Sequence, residues 1–249
     1  MRNIKLSIEY EGTDYAGWQI QRNRKKTIQE TLEKALTQIL QERIRVIASG
    51  RTDAGVHAFG QVANFKTKSN LNCKSIHRAL NSILPEDIRV KQVEQAHLDF
   101  HARFLVQSKL YRYTIVNSSF VSPFLHRHCY LVRHPLDVQK MRRAAAYLLG
   151  RHNFRSFQAV DKREREPVRR ILRLDIRRKG ELIYLDIAAD GFLYRMVRNI
   201  VGTLIEVGRA RLKAQDIKEI LKAKNRIYAG PCAPARGLCL MQVKYKNKN

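Results

Sequence analysis

Ten residues constrain this chain more than any others. Ser49-Gly50-Arg51-Thr52-Asp53-Ala54-Gly55-Val56-His57-Ala58 sits between two apolar runs and puts a carboxylate beside a guanidinium inside a glycine-bounded turn. Ile44 to Ala48 is short and β-branched, which predicts a strand. Val56 to Phe65 predicts a second, with Val62, Asn64 and Lys66 alternating against Ala63 and Phe65. Gly50 and Gly55 give the turn backbone angles or close approaches that a Cβ forbids. Asp53 has two readings. Aspartate in a glycine-rich turn commonly caps its own backbone. A carboxylate two residues from Arg51, among small neighbours that leave room for a ligand, stays ionised and can act as nucleophile, base or electrostatic partner.

Around this turn the pattern is regular. Residues 2–11 alternate Ile4, Leu6 and Ile8 against Lys5, Ser7 and Glu9, a half-buried strand. Thr27-Ile28-Gln29-Glu30 reads as a capping box, and Ile28, Leu32, Ala35, Leu36, Ile39 and Leu40 then make one helical stripe. A short helix at 73–82 and a strand at 88–93, separated by Pro85, complete a first half of strand, helix, strand, strand, helix, strand. Phe100 to Phe104 looks like a crossing segment, so the expected halves are 1–105 and 106–249.

The second half opens on a strand, Ser108 to Val116, with Leu110, Arg112 and Thr114 against Tyr111, Tyr113 and Ile115. Tyr111 is either a buried strand aromatic or a ring on which a base stacks, its phenol able to move a proton. A helix from Leu136 to Leu149 is expected to close at Gly150, with Val138, Met141, Ala145, Leu148 and Leu149 inward. Strands follow at 171–176 and 182–188. Leu193, Val197, Ile200, Val201 and Leu204 predict a helix from Leu193 to Val207 stopped by Gly208, with Arg195, Arg198 and Gly202 on one face. An arginine in so apolar a helix either finds a partner or snorkels past its neighbours. A short helix, 214–224, and a closing strand, 238–245, end the pattern.

Charge narrows the class of partner. Lys and Arg number 48 against 22 Asp and Glu, a net +26 over 249 residues, and such an excess calls for a polyanion. Nucleic acid is the first candidate, because phosphate neutralisation releases counterions, and a membrane surface the second. Gln21 to Lys26 and Asp161 to Arg170 are charge runs that are either solvated or set against a phosphate backbone. Hydrophobic residues make up 44%, enough for a folded core. No apolar stretch approaches the roughly 20 residues of a membrane span, and Met1 to Lys5 runs straight into a strand, so a cytoplasmic protein is expected. Cys73, Cys129, Cys232 and Cys239 form no C-x-x-C pair. His126-Arg127-His128-Cys129 comes nearest to metal spacing, but on a strand the two histidines share a face that Cys129 does not, so no metal is expected. Walker, G-x-G-x-x-G, H-E-x-x-H and G-x-S-x-G signatures are missing, which removes the usual signals for nucleotide hydrolysis, dinucleotide chemistry, zinc proteolysis and serine hydrolysis.

The string SGRTDAGVHA resembles the active-site motif of the bacterial TruA family of tRNA pseudouridine synthases. Tyr10-Glu11-Gly12-Thr13-Asp14-Tyr15-Ala16-Gly17-Trp18-Gln19 is similar to that family's opening strand and turn, and Lys109-Leu110-Tyr111-Arg112-Tyr113 to its tyrosine strand. Phe192 to Gly202 resembles its arginine helix and Ala233 to Leu238 its C-terminal turn. These blocks keep the family's order across nearly the whole chain.

The resemblance implies an α+β pseudouridine synthase fold, two α/β halves with mixed, mainly antiparallel sheets joined into one central sheet. It implies a homodimer acting on uridines 38, 39 and 40 of the tRNA anticodon stem-loop, with no cofactor. Asp53 is then the nucleophile, on uracil C6 or sugar C1′, and Arg198 the cation that holds it. Tyr111 stacks under the uracil and assists loss of the C5 proton, and Arg51 contacts RNA where the nucleotide has left the stack. The one departure is Arg195, where the family often carries histidine; an arginine there adds a phosphate contact. Two rivals remain at this stage, an RNA-binding factor without catalysis and a DNA-binding protein, although the chain carries no helix-turn-helix or zinc module.

Overall fold

A computed structural model of the chain describes residues 1–21, 25–161 and 166–246. The structure divides into two compact units, one formed by Met1–Gln107 with the C-terminal segment from Cys239, the other by Ser108–Leu238. Both are α+β, with mixed sheets that are mainly antiparallel. The two charge runs extend partly outside the described residues, at 22–24 and 162–165.

In the first unit, β1 (Arg2–Tyr10) pairs antiparallel with β3 (His57–Thr67) on one side and β4 (Ile88–Ala96) on the other. The helices α1 (Ile28–Leu40) and α2 (Cys73–Ile83) contribute Leu32, Leu36, Ile76 and Leu80 to the core that contains Ile4, Leu6 and Ile8. Thr27 caps α1 as expected, its hydroxyl accepting from the Glu30 N–H at 3.3 Å. The strand expected over Ile44 to Ala48 is only β2 (Ile47–Ala48), paired with β3. The reason lies in α1: the Val46 N–H donates to the Glu33 carboxylate at 2.9 Å and the Ile44 N–H to the Thr37 hydroxyl. Side chains of the helix thus take the donors that a longer ladder would have used.

Strand β3 is buried on both faces for most of its length, so the expected polar face of Asn64 is not solvated. Asn64 is 2% exposed; it donates to Asn3 and to the Phe100 carbonyl, and accepts from the Ala102 N–H. These bonds fasten the crossing segment to the sheet. The last strand, β10 (Leu238–Tyr245), runs parallel to β3 at Cys239–His57 and Leu240–Ala58. Sequence order puts this strand in the second half, whereas its ladder joins it to the first unit.

The second unit is built on β5 (Val106–Val116), with β6 (Tyr130–Leu131) on one side and β9 (Leu182–Ala189), β8 (Val168–Lys179) and β7 (Gly150–Asn153) in turn on the other. Alternation along β5 is as expected, with Tyr111, Tyr113 and Ile115 buried. The helix α3 (Val138–Ala146) is shorter than the periodicity suggests, starting at an Asp137 cap and leaving Leu149 43% exposed. Gly150 adopts φ 92° at the start of β7. His126 to Cys129 lies in turns, not on a strand; Cys129 is buried and donates its thiol to the Leu125 carbonyl at 3.1 Å.

The long apolar helix also differs at both ends. It is α4 (Met196–Gly208), and Arg195 precedes it in a left-handed conformation, φ 57°, so Arg195 does not share a helical face with Arg198. Gly208 is the last helical residue and not a left-handed stop: a Cβ there would lie 2.9 Å from Met141 Sδ, so glycine serves the close approach of α3. The helix α5 (Asp216–Ala223) follows.

Within this sheet Asp186, 3% exposed, accepts two hydrogen bonds from Arg112, at 2.7 and 2.9 Å, and one from Arg177 at 2.6 Å. Burial acts to raise its carboxyl, but the two guanidinium groups outweigh it and hold it below the ordinary carboxylate range. A depressed folded-state value contributes stability above the unfolded value of about 3.9, and that contribution vanishes as pH falls through the folded one. Asp186→Asn is therefore expected to lose about 1–3 kcal/mol at pH 7. The gap between variant and parent in denaturant melts should close at acid pH.

Candidate active site

The loop from Ser49 to Val56 joins β2 to β3, and the Ser49 N–H donates to the Val62 carbonyl at 2.7 Å as the last rung before it opens. A second segment of the same unit, Gly12 to Trp18, lies against the loop's backbone. The Trp18 N–H donates to the Thr52 carbonyl at 3.0 Å and the Gly55 N–H to the Tyr15 carbonyl at 3.4 Å. Two glycines allow this approach. A Cβ on Gly12 would lie 2.1 Å from the Val56 oxygen, and one on Gly17, at φ 96°, would lie 2.6 Å from the Thr52 oxygen. The expected special angle occurs at Gly55, φ 75°.

The Gly12 segment is itself anchored, with Trp18 and Tyr15 buried and the Tyr15 hydroxyl on Asp87 at 2.6 Å. The Gly12 N–H donates to His57 Nδ1 at 3.0 Å, which makes that nitrogen an acceptor. Thr52 is buried and its hydroxyl meets that of Tyr10 at 2.8 Å. Asp53 follows it, half-buried, while Arg51 and Ala54 are exposed. The Val56 N–H bonds the Asp53 carbonyl at 3.2 Å, so the turn is closed by backbone. The result is a partly buried aspartate on a backbone with little freedom, the positioning a nucleophile or base needs.

The other two assigned residues belong to the second unit. Tyr111 is 8% exposed, its ring perpendicular to that of Phe192 with centroids 5.2 Å apart at 89°. Arg198 is half-buried on the first turn of α4, and its Nε donates to the Ala233 carbonyl at 2.7 Å while the Ala233 N–H donates to the Arg198 carbonyl at 3.1 Å. The segment that holds it runs along α4: a Cβ on Gly202 would lie 1.6 Å from the Pro231 oxygen, and the Gly230 N–H donates to Thr203 at 2.9 Å.

Gly202→Ala is accordingly expected to cost about 1–3 kcal/mol through overpacking and to lower the melting temperature by about 2–4 °C per kcal/mol, read by calorimetry. Next to this segment the Tyr113 hydroxyl donates to the Pro234 carbonyl at 2.8 Å, and its fully buried ring leaves no room for a side chain at Gly237. Burial pushes the Tyr113 hydroxyl far up, with Arg198 and Arg236 pulling the other way. Arg195 is exposed, its guanidinium 5.0 Å from the Tyr194 ring.

The sequence did not single out Tyr10 or Gln61, both buried behind the loop. The one signal for Gln61 was a glycine directly before it, Gly60, inside a strand.

Residues 6–105 and 144–246 match the family model described as tRNA pseudouridine synthase. The chain is 46% identical to tRNA pseudouridine synthase A of Acetivibrio thermocellus over 245 residues, 98% of this chain and 100% of that protein. It is also 46% identical to tRNA pseudouridine synthase A of Moorella thermoacetica, over 97% of this chain and 99% of the other. Among solved structures it is similar to one described as an archaeal box H/ACA sRNP Nop10-Cbf5 complex, at 10% identity and a TM-score of 0.37 over 81% of this chain and 43% of that one.

Proposed function

The chain belongs to the tRNA pseudouridine synthase family, and from that premise we propose that it isomerises uridine at positions 38, 39 and 40 of the tRNA anticodon stem-loop, with Asp53 as nucleophile. The observation that carries this reading is the Asp53 loop, whose backbone is pinned by the Gly12–Trp18 segment while Asp53 itself is only partly buried.

The reaction needs only such a group. Asp53 attacks uracil C6 or sugar C1′, the N1–C1′ bond breaks, the base turns, C5 bonds to C1′, and the bond to Asp53 is cleaved to return the free carboxylate. The C5 proton leaves and a proton returns to N1, so product and substrate have the same composition and no oxidant enters. Arg198 is assigned as the cation that keeps Asp53 ionised and oriented, an opposite charge at about 4–6 Å lowering a carboxylate by roughly 1–3 units. Tyr111 is assigned to stack under the uracil and to assist loss of the C5 proton. Arg51, exposed beside the nucleophile, is assigned to the RNA, filling the space the extruded nucleotide leaves. The net charge of +26 suits tRNA as partner. A homodimer in the cytoplasm completes the proposal. No described helix is long and apolar enough to cross a membrane.

The test is to incubate the purified protein with unmodified tRNA transcripts and map pseudouridine by carbodiimide-dependent stops of reverse transcription. Stops at 38, 39 or 40 are the expected result; a product without them contradicts it. Sedimentation of the same sample reads the dimer directly.

A further inference from the structure

We propose that Gln61 is a positioning residue for the isomerisation, fixing the Asp53 loop through Ser49, Gly50, Tyr10 and Thr52; this rests on the assignment of Asp53 as nucleophile. Gln61 is fully buried on β3, behind the loop, and bonds directly to the loop's first two residues, Ser49 and Gly50. Its Oε1 accepts from the Ser49 hydroxyl at 2.6 Å and from the Val62 N–H at 3.2 Å. Its Nε2 donates to the Gly50 carbonyl at 2.9 Å and to the Tyr10 hydroxyl at 3.4 Å. The amide thus uses both donors and both acceptor sites, and flipping it would set Oε1 against a carbonyl and Nε2 against an N–H. The Tyr10 hydroxyl, which accepts from Gln61, shares a second hydrogen bond with the Thr52 hydroxyl at 2.8 Å. A chain of buried hydrogen bonds therefore runs from Gln61 to the residue immediately before Asp53.

The backbone is bent to put Gln61 there. In the β1–β3 ladder Ile8 faces Gln61 and Tyr10 faces Ala58, so Glu9 opposes both Phe59 and Gly60. Cross-strand partners project to the same side of a sheet, and Ile8 and Tyr10 are both buried. Residues three apart on a regular strand point to opposite faces, so this bulge is what brings Gln61 to the face of Tyr10. Gly60 at the bulge lets β10 approach, since a Cβ there would lie 2.5 Å from the Met241 oxygen. Such a chain of hydrogen bonds acts on the position of a reacting group, and a displacement of about 1 Å costs about a hundredfold in rate.

The experiment measures single-turnover tritium release from tRNA labelled at uridine C5, with enzyme in excess, beside tRNA affinity by filter binding. Gln61→Met keeps the approximate volume and removes the amide's hydrogen bonds. Thr52→Val removes only the hydroxyl, and Thr52→Ser restores it. The expected result is a rate about ten- to a hundredfold lower for Gln61→Met and Thr52→Val, with affinity within about twofold of the parent and Thr52→Ser close to the parental rate. A residue that only supported the fold would leave the rate per folded molecule unchanged below the melting temperature. Parental rates in Gln61→Met and Thr52→Val, with Asp53→Asn inactive, would overturn the positioning role alone. Equal losses in Thr52→Val and Thr52→Ser would overturn it too. An active Asp53→Asn would overturn the underlying assignment instead. If Gln61→Met does not fold, the two Thr52 variants decide.

Discussion

Asp53→Asn is expected to lower the turnover of tRNA uridine by about a thousandfold or more while leaving tRNA affinity within about twofold. Removal of a covalent nucleophile is among the largest single losses a site can suffer. Asparagine has the shape of aspartate but no charge and no nucleophilic carboxylate. The loop should survive the change, because backbone bonds with Trp18, Tyr15 and Val62, the Thr52 hydroxyl and the Gln61 amide hold it and the substitution leaves all of these in place. Circular dichroism and filter binding would read the fold and the affinity, and steady-state kinetics the loss. Asp53→Glu is expected to be nearly as poor, since a backbone held by Gly12 and Gly17 cannot retreat to accommodate an added methylene.

Arg198→Met is the second large effect, about a hundred- to a thousandfold in turnover, the usual cost of removing one preorganised electrostatic group from a site. Methionine keeps the apolar length along α4 and deletes the charge. If Arg198 keeps Asp53 ionised, its removal raises the carboxyl. The ionised form is then lost at a higher pH, and the acid limb of the rate profile moves up by roughly 1–3 units. Arg198→Lys should recover only part of the rate. A lysine has no fork with which to hold the Ala233 carbonyl through Nε and still present a second donor. An unshifted acid limb in Arg198→Met would assign the arginine to structure or RNA contact in place of the nucleophile.

Local signals read well where one residue decides a local structure. The Thr27 cap, the buried alternation of Tyr111, Tyr113 and Ile115, and the tight turn at Gly55 follow from the chemistry of a few neighbours. Tertiary contacts overrode the pattern elsewhere. Ile44 to Val46 carries β-branched residues, yet α1 side chains satisfy its backbone. Gly208 has the composition of a stop, but it is the last helical residue and the Met141 and Leu136 side chains fill the space a Cβ would take. Leu193 continues the helical periodicity of α4 while Arg195, at φ 57°, breaks the backbone behind it.

The candidate site shows the same division. The groups proposed to react stand in a contiguous motif, on a strand and on a helix, where residue type and spacing single them out. The groups that hold the loop do not: Tyr10 and Gln61 are 51 residues apart, and a bulge with no signature beyond Gly60 brings them together. The pairing of β10 with β3 is equally silent in the sequence, since a parallel ladder between Cys239 and His57 depends on the course of everything between.

The most direct measurement is tritium release from tRNA carrying uridine labelled at C5, comparing the parent protein with Asp53→Asn in a buffer without added cofactor. Transfer of the glycosidic bond from N1 to C5 displaces the C5 hydrogen, so isomerisation releases the label. Release by the parent and none by Asp53→Asn, with both still binding tRNA, is the predicted result. Equal release by the two would contradict the nucleophilic role of Asp53, and binding without release by either would contradict the isomerase itself.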